Sequence, residues 1–170
     1  MEQIERTHRY LERIRKMYEG APYIQNKEYY TDDVYSFFIH CYHIRDWIKE
    51  LNLLGITSSE LKKFIRSHKE LRICADLCNG TKHCHIEENK KWTTGQPYIA
   101  ETSFESSGRN REFTTTKGRF QIISDDVFYD ALELAQRCMK LWDDFVEEMK
   151  KSASQRLQPT RKPPPAGPRG

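Results

Sequence analysis

The sequence predicts a mainly α protein: a four- to five-helix up-down bundle with a small antiparallel β insert between the third and last long helices. Three observations predict it. Apolar residues recur at helical spacing over four long stretches. A segment at 92–123 breaks that pattern, with Thr, Ser, Gly and aromatic residues in short alternating runs. The 170 residues suit one domain, and 12% aromatic content lets few side chains fill its core although the apolar fraction is 37%.

The first helix covers 2–18, with Ile4, His8, Leu11, Ile14 and Tyr18 at helical spacing, and Gly20-Ala21-Pro22 ends it. Thr31 is the expected N-cap of a second helix over about 32–53, with Asp32 and Asp33 at its positive end. Its apolar stripe is Val34, Phe37, Phe38, Cys41, Ile44, Ile48 and Leu51, and Gly55 is its expected stop. Ser58-Ser59-Glu60 opens a short helical connector through Phe64. A third helix, about 67–87, buries Leu71, Cys74, Leu77, Cys78 and Thr81. Gly80 in its middle costs about 1 kcal/mol relative to Ala, which implies a close neighbour or an irregularity.

In the insert, alternating runs at 98–104, 112–116 and 119–123 read as two or three antiparallel strands. Gly108-Arg109-Asn110 and Lys117-Gly118 read as the turns between them. For the last helix, Ser124 is the expected cap and Asp125 and Asp126 the first turn. Val127, Ala131, Leu134, Cys138, Leu141, Trp142, Phe145 and Met149 form its stripe. The domain is therefore expected over 1–152, with 153–170 a disordered, basic, proline-rich tail.

Charge and cysteine use narrow the function. The net charge is +3, but from Gln155 onward the chain carries Arg156, Arg161, Lys162 and Arg169 and no acid. Without those four, 24 basic residues face 25 acidic ones, so the body is not a basic nucleic-acid surface in bulk. No apolar run approaches the ~20 residues that cross a bilayer, and the charged start MEQIERTHRY lacks a signal peptide's apolar core. Five cysteines in predicted helices, an odd count without C-x-x-C pairs, suit reduced thiols. A cytoplasmic protein with no membrane contact is expected.

The third helix also carries a polar ridge. At about 100° per residue, Arg72, Asp76, Asn79 and His83 fall in one sector opposite the apolar stripe. On the second helix, His43, Asp46 and Glu50 lie away from the stripe, together with Ile39, Tyr35 and Tyr42. A helix that is apolar on two sides is commonly sandwiched between its own core and a partner. A charged stripe is as often a plain solvated face, but Asp, Asn, Lys and His clustered over 76–83 are unusual choices for one.

The run D-L-C-N-G-T-K-H, 76–83, late in the third helix of an all-helical bundle resembles the HEPN family (higher eukaryotes and prokaryotes nucleotide-binding). The resemblance covers roughly 1–88 and 124–150. It implies a small homodimeric bundle of the kind common in toxin–antitoxin and antiphage defence systems, many of them metal-independent ribonucleases. The family motif is Arg, a polar residue often Asn, three variable residues and His. Here Asn79 and His83 match, and Cys78 stands in the arginine's place. The resemblance implies that His83 is the acid/base, with Asn79 contacting or orienting substrate. Without the guanidinium a large electrostatic contribution to phosphate chemistry is missing.

The expectation is therefore an RNA- or nucleotide-binding or interaction module acting as a homodimer. Arg72, Asp76, Lys82, His43 and Asp46 are its binding or interface residues. The alternatives are a metal-independent endoribonuclease using His83 and a purely structural bundle that binds a partner protein. No cofactor and no metal are expected. Cys78 and His83 point to opposite sides of the helix, closely spaced cysteine pairs are missing, and only one E-x-x-H, Glu5 to His8, occurs.

Overall fold

The computed structural model describes residues 1–22, 27–52, 55–83, 85–108 and 115–156. Cys84, residues 109–114, which hold most of the expected turn and the start of the strand expected at 112–116, and the residues from 157 lie outside the described residues. Those described form α1 (Glu2–Glu19), β1 (Ala21–Pro22), α2 (Lys27–Leu51), α3 (Ser58–Ser67) and α4 (Lys69–His83). A 3-10 turn (Glu88–Lys90), β2 (Tyr98–Ser107), β3 (Thr115–Ser124), β4 (Val127–Asp130) and α5 (Ala131–Arg156) follow. The protein is mainly helical with one small antiparallel sheet, in which β3 pairs with β2 along one edge and with β1 and β4 along the other.

The core is shared by α1, α2, α4 and α5. Leu11, Ile14, Met17, Phe37, Phe38, Ile44, Leu71, Leu77, Cys138 and Trp142 are all buried in one cluster. α3 lies against it through Leu61 and Ile65, and its Phe64 stacks on Phe145 with ring centroids 4.2 Å apart. The sheet is tied to α1 by one phenol: Tyr18 Oη donates to the Phe120 carbonyl at 3.0 Å and accepts from the Phe120 N–H at 3.1 Å.

Several boundaries differ from the sequence expectation for physical reasons. α2 begins at Lys27, so Thr31, Asp32 and Asp33 lie inside it. It ends at Leu51, which is exposed, because Asn52 takes a left-handed φ of 43° before Gly55 is reached. The cap of α3 is Thr57, joined to Glu60 in a reciprocal capping box. α4 stops at His83, and Thr81 is exposed, spending its hydroxyl on the Cys78 carbonyl.

The start of α5 differs most. Asp125 and Asp126 have φ of 51° and 60° and form the tight turn between β3 and β4, where both central residues of a hairpin turn need the left-handed region. Ser124 is the last residue of β3. The α5 cap is Asp130, which accepts from the Leu132 and Glu133 N–H groups at 3.0 Å. Lys117-Gly118 is no turn either. Gly118 lies within β3, where a Cβ would come 2.8 Å from the Phe104 ring and 3.2 Å from Met17. Gly80, by contrast, has the close neighbour its position implies: Gln96 lies 3.1 Å from where its Cβ would stand.

Candidate functional site

The ridge does not survive as one surface. Leu71 and every residue from Ile73 to Cys78 are buried, so this part of α4 has no solvent side. The insert covers what a helical wheel leaves open. Asp76 is 0% exposed, and its carboxylate accepts from the Trp92 N–H at 2.8 and 3.0 Å and from the Thr93 N–H and hydroxyl at 2.8 and 2.7 Å. Burial raises its pKa above the usual carboxylate range, and the Thr93 and Trp92 donors offset part of that. The Thr93 hydroxyl also lies 2.6 Å from the Gly95 carbonyl, so its one proton has two acceptors in reach, and the Gly95 N–H donates to Asp125 at 2.7 Å. Asp76 is therefore a clamp that fixes the 92–95 segment.

That segment delivers Trp92 to the surface between α3 and α4. On one side of it lies a cleft of about 440 Å³ lined by Tyr42, Arg45, Asp46, Lys62, Asn79 and Trp92 among others. On the other is a cleft of about 420 Å³ lined by Lys62, Arg66, Arg72, Asn89, Lys90, Lys91 and Trp92. Lys62 and Trp92 belong to both, which makes one groove with an aromatic divider. The Arg66 guanidinium lies over the Trp92 ring, 5.8 Å from its centroid.

The charges of this groove are unbalanced. Lys90 and Lys91 pair with Glu87 and Glu88 at 2.7 and 2.6 Å, and the Lys91 side chain is only 7% exposed, so it supports the wall from beneath. Arg45 is held by Asp46 at 3.0 Å, by the Tyr42 hydroxyl and over the Tyr42 ring at 4.2 Å. Among the described residues, Lys49, Lys62, Arg66 and Arg72 form no ion pair. Arg72 Nη1 donates to the Arg66 carbonyl at 2.8 Å, and its Nε is buried without a partner.

Comparison with protein-family models, curated proteins and solved structures returns no match. The chemistry therefore has to be read from the groove itself.

Of the residues singled out in the sequence, the groove gathers Arg72, Asn79 and Asp46. Asp76 lies beneath it. His83 and Lys82 are exposed at the end of α4 and are not among the residues lining the groove. His43 is exposed and sits 4.0 Å from the Cys78 sulfur. Cys78 is buried, and burial pushes its thiol up to about 11, so this position presents no charge. Tyr42, expected on an outward apolar face of α2, is buried beside the groove instead.

Sequence reasoning missed Arg45, Lys49, Lys62, Arg66 and Trp92. A signal was present: Lys62, Lys63 and Arg66 share one helical face, and Lys90-Lys91-Trp92 places an aromatic directly after two cations. It also missed a meeting of three cysteines. Cys41, Cys74 and Cys138, from α2, α4 and α5, bring their sulfurs within 4.8 Å of one another in the core.

Proposed function

We propose that this chain is an RNA-binding module and that the α3–α4 groove divided by Trp92 is its site. The carrying observation is the convergence of Lys62, Arg66 and Arg72, cations without carboxylate partners, on one half-buried tryptophan. Single-stranded nucleic acid is held by that combination, cations following the phosphates while a base stacks on an aromatic face. Asn79, in the same groove, offers both a donor and an acceptor to a base edge.

The HEPN resemblance of the run 76–83 points to the same ligand class. Binding is favoured over cleavage, since His83 lies outside the groove and Cys78 holds the arginine's place. The groove is complete within one chain, so this reading does not require the homodimer. No helix among the described residues is long and apolar enough to cross a membrane.

The test is fluorescence anisotropy with a labelled single-stranded RNA oligonucleotide. Asn79→Ala weakens binding, whereas His83→Ala leaves it unchanged. Loss of affinity on His83→Ala with none on Asn79→Ala returns the site to the end of α4 and overturns the groove.

A further inference from the structure

The three core cysteines are used by neither the groove nor its supports. Cys41, Cys74 and Cys138 are each 1% exposed or less, and their three sulfurs lie within 4.8 Å of one another. We propose that they form a three-sulfur site for a soft monovalent metal ion, of which copper(I) is the type.

Geometry comes first. With a metal–sulfur bond of about 2.3 Å, the three sulfurs of a trigonal site stand about 4 Å apart. From separations of up to 4.8 Å the cluster reaches that by closing up to about 0.8 Å. Among the described residues no His, Asp or Glu joins the group, so a four-coordinate zinc site lacks a ligand here. Thiol sulfur alone selects soft ions.

The sulfur that binds a metal is thiolate, so each ligating thiol gives its proton to water and exchanges its S–H bond for a metal–sulfur bond. No electron is transferred. The dry core penalises the net charge that results, and the metal–sulfur bonds have to outweigh that cost.

One polar group of the core is left over beside the cluster. The Trp142 indole N–H is buried without a hydrogen-bond partner, and it is placed to donate to Cys41. An N–H aimed at a metal-bound thiolate is a usual second contact of such sites. The Cys74 and Cys138 thiols donate at 3.4 Å to the Phe38 and Glu70 carbonyls, acceptors that helical N–H groups also serve, so turning the sulfurs toward an ion strands neither carbonyl.

The experiment titrates reduced, full-length Cys78→Ser/Cys84→Ser protein with copper(I) under anaerobic conditions against a competing chelator. This background removes the other helix-α4 thiol and the neighbouring Cys84. The expected result is one equivalent retained in native mass spectrometry and a higher melting temperature. Cys138→Ala on that background retains at least 100-fold less tightly. Equal retention by both proteins, or none by either, overturns the site. Copper-edge X-ray absorption on the unmutated protein needs no variant to fold: three sulfurs near 2.3 Å are expected, and a two-sulfur linear site contradicts the assignment.

Discussion

The carboxylate of Asp76, sealed inside helix α4, holds the backbone N–H of Trp92 at 2.8 and 3.0 Å. A residue that looks like part of a solvent-facing stripe instead anchors the loop that builds the groove. Asp76→Ala leaves the Trp92 and Thr93 donors without their acceptor and should destabilise the protein by about 2–4 kcal/mol. Asp76→Asn should rescue little of this, because its amide turns a donor toward a group of donors. Urea unfolding midpoints check both, and a midpoint unchanged in Asp76→Ala contradicts the clamp.

Trp92 divides the groove, and its ring is the base platform of the proposed site. Trp92→Ala should weaken single-stranded RNA binding by roughly 5- to 150-fold, matching about 1–3 kcal/mol of stacking, and Trp92→Phe by less. Anisotropy titrations at one fixed salt concentration read the difference. Equal affinity of all three proteins removes the ring from the site.

His40 gives the fold a pH dependence of definite sign. Burial, then the charges of Arg6 and His43, hold its pKa below 6.5. Below pH 6.5 the unfolded chain takes a proton that the folded one refuses. His40's contribution to stability is therefore complete above pH 6.5 and is lost as pH falls toward its folded pKa. His40→Gln should show a smaller stability loss than the parent between pH 7.5 and 5.5. The comparison of urea unfolding curves at the two pH values isolates this residue from other titrating groups.

Gly118 is required by contact rather than by a turn. A methyl group there meets Phe104 at 2.8 Å and Met17 at 3.2 Å. Gly118→Ala should cost about 1–3 kcal/mol through overpacking, and Phe104→Leu in the same chain should return part of it. Thermal unfolding of the two variants measures the coupling.

Much of the helical frame is legible in the sequence, because Val34, Phe37, Phe38, Cys41, Ile44 and Ile48 carry the 3.6-residue period that a one-sided core imposes. The ridge was illegible because a helical wheel assumes a solvent side, and α4 has none where the insert returns over Asp76. Asp125 and Asp126 misdirect for another reason: aspartate suits both the first turn of a helix and the left-handed turn between strands. The groove draws on four separate segments and the cysteine cluster on three, so no local spacing announces them. Asn79 and Arg72 are legible on α4, yet the other unpaired cations of the groove, Lys49, Lys62 and Arg66, sit on α2 and α3.

The most direct test of the groove is the salt dependence of single-stranded RNA binding in the parent and in Lys62→Ala/Arg66→Ala. Each phosphate contact on a single strand contributes about 0.7 to the slope of log affinity against log salt. Removing two contacts should lower the magnitude of the slope by about 1.4 and weaken binding at low salt at least 10-fold. A double variant with the parent's affinity and slope would place the RNA site elsewhere and contradict the account.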